Sequence, residues 1–127
     1  MDKQEEKTLN LATLVFPVRG NEVMLAQKMT KIGAGYLNGW GGGVEEGETI
    51  VAGAAREFNE ESGASVDLDD LTKVCIAHFK NNKIDGSVFV CTVHIFTTRI
   101  WHGEIISTPA MAMPRWHPVS SLRYERL

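Results

Sequence analysis

The feature that most constrains this chain is the stretch of residues 42–64, GGVEEGETIVAGAAREFNEESGA. It starts as a glycine-rich turn and continues as a helical pattern whose apolar face comprises Ile50, Val51, Ala54, Ala55 and Phe58. Thr49 is a suitable N-cap, and Gly63 can adopt the left-handed conformation that ends many helices. The stretch therefore predicts a turn followed by a helix that packs its apolar face on a sheet.

Three carboxylates lie on another face of this helix. Glu57, Glu60 and Glu61 stand at positions i, i+3 and i+4. Each like-charged pair at i,i+4 destabilises a helix by about 0.2–0.5 kcal/mol. Two interpretations follow: the face is solvated, or a hard divalent cation neutralises it. Mg²⁺ suits the second, because it binds one or two carboxylates and completes its coordination with water and substrate phosphates.

The order of these residues favours the cation, because it resembles the Nudix box. That pattern is Gly, five residues, Glu, seven residues, Arg-Glu, an aliphatic residue, one residue, Glu-Glu, one residue and Gly, filled here by Gly42, Glu48, Arg56, Glu57, Glu60, Glu61 and Gly63. The pattern ends with an aliphatic position after Gly63, where Ala64 replaces the usual branched residue, and Phe58 replaces the usual smaller aliphatic residue; both are apolar. The resemblance implies an α/β (α+β) fold, a Nudix-type α/β/α sandwich around a mixed central sheet. We expect a flexible leader over residues 1–7 and a single domain over residues 8–127.

The resemblance also implies roles for residues of the box. Glu60 and Glu61 would ligate Mg²⁺, with Mn²⁺ as a possible substitute, and Glu57 would be either a third ligand or the general base. The backbone carbonyl of Gly41, which precedes the box, would be a further ligand. Arg56 would pair with Glu48 and hold the loop against the helix. The implied chemistry is hydrolysis of a nucleoside diphosphate linked to another group.

Outside the box, the stretch GAGYLNGWGGGVEEGETI resembles the MutT-homologue group, which removes oxidised purine nucleoside triphosphates from the nucleotide pool. In this resemblance Lys28 faces substrate phosphates, Asn38 reads the base edge and Thr13 lines the base pocket. Lys28 is equally consistent with a solvated lysine at a strand end. Asn38 precedes Gly39 and also suits a turn.

The reaction implied is conversion of a nucleoside triphosphate of the 8-oxo-dGTP or 2-hydroxy-dATP type to the monophosphate and pyrophosphate. Two alternatives stay open: a hydrolase of broader nucleotide specificity, and a weakly active nucleotide-binding module. No proline lies between Pro17 and Pro109 and no tyrosine between Tyr36 and Tyr124. In the superfamily that the box resembles, ADP-ribose hydrolases carry a proline and dinucleoside polyphosphate hydrolases a tyrosine downstream of the box. The resemblance therefore disfavours both activities for this chain.

Two departures from the group affect the expected site. Residues 110–113 read Ala-Met-Ala-Met where the group carries acidic residues, so either Glu104 substitutes or catalysis is weaker. The given sequence stops at Leu127, before the Trp-Pro-Asp-Asp-like motif and the C-terminal helix of the group. We therefore expect that helix to be absent, base discrimination to be altered, and an exposed apolar sheet face to favour an oligomer.

Composition excludes several other functions. A net charge of −3 gives no electrostatic reason to bind a nucleic acid duplex. No apolar run approaches the roughly 20 residues that span a bilayer, so we expect a cytoplasmic protein with no membrane partner. Cys75 and Cys91 lack metal-site spacing and are expected to be buried free thiols. His78 and His94 are interpreted as sheet histidines or, alternatively, as lining of a substrate pocket.

Strand patterns flank the box on both sides. Alternating or β-branched apolar runs predict strands over residues 9–18, 22–29, 71–80 and 88–100. Residues 111–116 are expected to lead to a further short strand. Residues 19–21 suit a hairpin turn, and residues 81–86 a hairpin loop. The glycine-rich residues 30–43 are expected to form a loop that approaches the ligand closely.

Overall fold

The computed structural model describes residues 10–30 and 34–122 and contains one mixed sheet and one α-helix within them. The strands and the helix are β1 Leu11–Arg19, β2 Glu22–Lys28, β3 Leu37–Asn38, β4 Trp40–Gly43, α1 Ile50–Ser62, β5 Leu71–Asn82, β6 Val88–Thr98 and β7 Met111–Pro118. Short 3₁₀ turns occupy Leu68–Asp70 and Val119–Ser121. This confirms the mixed α+β class. The expected leader over residues 1–7 lies outside the described residues.

The sheet is organised around β1. The strand order is β3-β2-β1-β6-β5, with β4 paired to β1 and β7 paired to β2. Only the β1–β6 pairing among these is parallel. The four strands expected over residues 9–18, 22–29, 71–80 and 88–100 are present, with ends shifted by one or two residues. The further short strand is β7, which begins at Met111 itself. The strands β3 and β4 were not expected, because they lie in the segment predicted as a glycine-rich loop.

The helix α1 begins and ends as its sequence indicates. The Thr49 hydroxyl accepts a hydrogen bond from the backbone N–H of Ala52 at 3.2 Å. Gly63 has a φ of 82° and donates its N–H to the carbonyl of Asn59. Both caps satisfy backbone groups that a helix end leaves without partners.

One face of the sheet packs against α1. Phe58 is fully buried beside Trp40, with ring centroids 6.1 Å apart in an edge-to-face arrangement. Val15 of β1 and Ala54 of α1 belong to the same apolar cluster. This packing fixes the helix over β1 and β4, and with it the carboxylates of the box.

The opposite face carries a smaller apolar cluster of Ala12, Cys91 and Val93. The prediction for Cys91 is correct, since it is a buried free thiol, and burial raises the pKa of that thiol. The prediction that Cys75 is buried is wrong. Cys75 lies on β5, the edge strand of the sheet, where most side chains are exposed. Within residues 10–30 and 34–122, no helix has the length and apolarity needed to cross a membrane.

Candidate active site

Arg56 holds the loop of the box against α1. Its guanidinium forms a bidentate pair with Glu48, with Nε–Oε2 at 2.8 Å and Nη2–Oε1 at 3.0 Å. Nη2 also donates to the backbone carbonyl of Gly43 at 2.8 Å. The expected Arg56–Glu48 contact is therefore present, and it ties the chain before the helix to the middle of the helix.

The same guanidinium also draws two helix carboxylates together. Nη1 of Arg56 lies 3.0 Å from Oε1 of Glu57 and 3.1 Å from Oε2 of Glu60. The hydrogen bonds from Arg56 lower the pKa of Glu48 to about 2, and the bond to Glu48 in turn raises the pKa of Arg56. Glu61 is half-buried one position further along, and its backbone carbonyl accepts a hydrogen bond from Thr108 at 2.8 Å. The carboxylates of Glu57 and Glu60 are therefore held close together by Nη1 of Arg56.

The two middle residues of β4, Gly41 and Gly42, allow close packing with β1 and with α1. A Cβ at Gly41 would lie 1.8 Å from the carbonyl oxygen of Thr13, so no larger residue fits there without moving the backbone. A Cβ at Gly42 would lie 2.6 Å from the carboxyl carbon of Glu57. Because Gly42 has no side chain, the Glu57 carboxylate can lie directly against its backbone.

A cavity of about 270 Å³ lies on the sheet face opposite α1. It joins Lys28 and Asn38, which were expected near the substrate, with Gly41, which was expected at the metal. Its full lining is Ala12, Thr13, Leu14, Lys28, Asn38, Gly41, Gly42, Phe79, Asn81, Phe89, Cys91 and Val93. The structure thus brings the expected phosphate-facing and base-reading residues to one cavity that borders Gly42.

Thr13 borders this cavity with its backbone. It pairs with Gly42 on one side and His94 on the other, and it shares a strand face with Val15, which packs against α1. Its hydroxyl is buried and has no hydrogen-bond partner among the described residues. The Thr13 side chain therefore points to the helix side of the sheet, away from the cavity-facing Leu14.

The sequence-based site included none of the residues of β5 and β6 that line the cavity. Phe79, Asn81 and Phe89 line the cavity there, and only the two-residue alternation of the strands could have indicated them. His78 and His94 lie outside the cavity lining. His78 contacts the hydroxyl of Thr92 at 2.9 Å, and burial lowers the pKa of His94.

The donor chemistry of the site fits a hard divalent cation. Within the part of the chain that the structure describes, no three acidic, histidine or cysteine side chains converge as a fully protein-ligated metal site. Mg²⁺ needs only one or two carboxylates when water and phosphate fill its other positions. Glu57 and Glu60 meet that requirement, since both contact one nitrogen of Arg56 and Glu57 rests in the space left by Gly42.

Among the described residues, no carboxylate takes the place in the cavity lining of the acids that the resembling group carries before Trp116. Met111 is buried in β7, opposite Lys28 of β2. Glu104 is exposed, and its backbone carbonyl lies near Gly63, at the C-terminal end of α1. None of the cavity-lining residues of the described chain is acidic.

These features can be compared with known proteins. The family model described as NUDIX domain matches residues 8–127. The chain belongs to the Nudix family. This Nudix chain is 40% identical over 120 residues to the oxidized purine nucleoside triphosphate hydrolase of Mus musculus, a match that covers 94% of the chain and 73% of the relative. The chain is thus a Nudix hydrolase, and Nudix hydrolases use a divalent metal.

Solved structures show the same fold. A MutT Nudix hydrolase from Burkholderia pseudomallei superposes with a TM-score of 0.76 at 18% identity, covering 94% of this chain and 90% of the other. A bifunctional NMN adenylyltransferase/ADP ribose pyrophosphatase from Francisella tularensis, complexed with AMP and a Mn ion, superposes with a TM-score of 0.65 at 20% identity. That match covers 93% of this chain and 36% of the other.

Proposed function

We propose that this protein hydrolyses oxidised purine nucleoside triphosphates to the monophosphate and pyrophosphate with Mg²⁺, and that Mn²⁺ can substitute. The observation that carries the proposal is that a single cavity joins Lys28, Asn38 and Gly41 and meets Gly42, on which the Glu57 carboxylate rests. The relative from Mus musculus, named for this activity, supports the choice of substrate. The role of each residue named below belongs to the same proposal.

The cavity suits a nucleobase. Its volume of about 270 Å³ lies just below the roughly 300–1,000 Å³ range of ligand pockets, in keeping with a base-sized ligand. Phe79 and Phe89 provide apolar ring surface, and Asn38 provides a polar group for the base edge. Lys28 lines the same cavity and supplies positive charge for the phosphates. The triphosphate would then pass Gly41 and Gly42 toward the carboxylates of α1.

The hydrolysis needs charge neutralisation and a positioned water molecule. A divalent cation bound by carboxylates among Glu57, Glu60 and Glu61, together with the Gly41 carbonyl, water and phosphate, would neutralise the phosphate charge and help to activate the water. Glu57 is the carboxylate that contacts Gly42, a residue of the cavity lining, so we assign it either to the metal or to the proton of the attacking water. Arg56 and Glu48 act by positioning, because their contacts fix the loop and the directions of Glu57 and Glu60.

The test is product analysis with a matched pair of variants. Glu57→Gln removes the carboxylate over Gly42, whereas Glu46→Gln removes an exposed carboxylate of the same loop. We expect the wild type and Glu46→Gln to release pyrophosphate from 8-oxo-dGTP in a chelator-sensitive reaction, and Glu57→Gln to lose at least about 10²-fold in kcat. Inorganic phosphate as the first product, or equal activity of both variants, would contradict the proposal.

One observation favours broader nucleotide specificity as a second candidate. The cavity lining of the described chain has amides but no carboxylate to read the base. A broad hydrolase would turn over dGTP and dATP as fast as their oxidised forms. Glu61→Ala should abolish turnover under both candidates, whereas a nucleotide-binding module would bind without turnover.

The remaining expectations also stand as proposals. We place the protein in the cytoplasm, where its two free cysteines would stay reduced, and we take residues 8–127 as one domain. Ile76 and Val88 are about half exposed on the β5–β6 hairpin and support the expected oligomer. Sedimentation of the purified chain distinguishes a monomer from a dimer.

A further inference from the structure

We propose that Asn81 is a second specificity-determining residue, which accepts a hydrogen bond from a donor on the purine while Asn38 donates one to an acceptor. This inference rests on the proposed function and concerns how the base is chosen.

The position of Asn81 follows from the pairing of β5 with β6. Asn81 is opposite Phe89, and Phe79 is opposite Cys91. Residues opposite each other in an antiparallel pair share a sheet face, as do residues two apart on one strand. All four residues line the cavity. Asn81 therefore stands beside two aromatic rings, in the wall that faces the bound base.

The local hydrogen bonds fix the polarity of both amides. Oδ1 of Asn38 accepts the backbone N–H of Gly39 at 2.8 Å, so its Nδ2 group is left to donate. Nδ2 of Asn81 donates to the backbone carbonyl of Phe79 at 3.3 Å, so its Oδ1 is left to accept. Among the described residues, neither remaining amide atom has another hydrogen-bond partner. Asn38 thus offers the cavity an amide donor, and Asn81 offers it an amide oxygen acceptor.

The Asn38 donor and the Asn81 acceptor would distinguish bases by the hydrogen-bonding groups on their edges. Guanine has the O6 acceptor next to the N1–H and 2-amino donors, and its 8-oxo form converts N7 from an acceptor to a donor. A ligand that lacks the matching donor would leave Oδ1 of Asn81 without a partner in a partly apolar cavity, which costs binding free energy. The ligand class is therefore a purine that offers both a donor and an acceptor at its edges.

The experiment compares Asn81→Leu with Asn82→Leu on dGTP, dITP and 8-oxo-dGTP. Asn82 is exposed and opposite Val88, so it lies on the other face of the same hairpin and is the matched control. dITP lacks the 2-amino donor of dGTP, and dGTP lacks the N7–H donor of 8-oxo-dGTP. The two comparisons are therefore the kcat/KM ratio of dGTP to dITP and that of 8-oxo-dGTP to dGTP. We expect at least one of these ratios to fall by about tenfold in Asn81→Leu and to keep its wild-type value in Asn82→Leu.

A conservative variant separates base reading from a structural role. Asn81→Asp keeps an oxygen acceptor and should preserve the wild-type order of substrates, even if its absolute rates fall. If Asn81→Leu lowers kcat/KM by the same factor on all three substrates, or leaves it unchanged, the inference is wrong. Binding of 8-oxo-dGMP without metal, measured by titration calorimetry, gives a readout independent of turnover: Asn81→Leu should weaken it by about tenfold.

Failure of the proposed function gives a different result. In that case the wild type itself would release no pyrophosphate from any of the three triphosphates. If the wild type still binds 8-oxo-dGMP and Asn81→Leu does not, the inference about Asn81 holds while the proposed reaction fails. If both proteins bind it equally, the inference fails whatever the reaction proves to be.

Discussion

The contact between Gly42 and Glu57 gives the sharpest prediction. A Cβ at position 42 would lie 2.6 Å from the carboxyl carbon and from Oε2 of Glu57, whereas ordinary contact begins at 3.4 Å. In Gly42→Ala the carboxylate must therefore retreat by about 0.8 Å. A displacement of about 1 Å of a catalytic group costs roughly 10²-fold in rate. We expect kcat/KM for pyrophosphate release to fall by about that factor.

The fold should survive this change, because the crowded atoms are the far end of a flexible side chain. Thermal unfolding followed by circular dichroism should show a midpoint close to the wild type, and pyrophosphate release should be measured on the same preparation. A folded Gly42→Ala protein with wild-type kcat/KM would refute the reasoning, because the position of Glu57 would then not matter for turnover.

Two further glycine variants act as controls. Gly41→Ala would place a Cβ 1.8 Å from a backbone oxygen of β1, so it should prevent folding rather than reduce activity alone. Gly20 has a φ of 50° in the β1–β2 turn, with no atom within 4 Å of the added Cβ. Gly20→Ala should therefore lower stability by about 1 kcal/mol through backbone strain and leave kcat/KM unchanged.

Three other predictions follow from the contacts of the site. Arg56→Gln breaks the links to Glu48 and Gly43, and chemical denaturation should show a loss of about 2 kcal/mol. The folded-state pKa of Glu48 is about 2, below its ordinary value of 4.5. The ionised Glu48 side chain therefore contributes its full stabilisation above pH 4.5, and this contribution is lost as the pH falls toward 2. Chemical denaturation of Glu48→Gln should show a weaker pH dependence of the unfolding free energy in that window. Asn38→Ala should reduce kcat/KM for 8-oxo-dGTP more than for dGTP, and equal losses on both would exclude base reading by Asn38.

The local features of the box could be predicted from the sequence because they depend on short spacings. The N-cap at Thr49, the helix end at Gly63 and the Arg56–Glu48 pair are all set within residues 48–63. The strands around the box were also predicted, since each has its own apolar alternation. These elements need no knowledge of how distant segments pair.

The cavity wall could not be predicted, because it depends on strand register. The pairing of β5 with β6 shifts by one residue between Lys73 and Cys75. A shift of one residue moves every later side chain to the other face of a strand, so the sequence did not reveal that Phe79 and Asn81 face the cavity. The exposure of Cys75 could not be predicted either, because the sequence does not show which strand forms the edge of the sheet.

The strand β4 was missed for a related reason. Its sequence, WGGG, has low strand propensity, but Trp40 packs against Phe58 and the glycines let the strand lie close to β1. Tertiary packing thus stabilises a strand that local preference does not favour.

The most direct test of the account is the ratio of kcat/KM for 8-oxo-dGTP to that for dGTP, measured by pyrophosphate release with Mg²⁺ and repeated with chelator. The account predicts a ratio well above one, with activity lost on chelation. Equal values for the two triphosphates would contradict the proposed preference for oxidised purines, and activity that persists in chelator would contradict the metal role assigned to Glu57, Glu60 and Glu61.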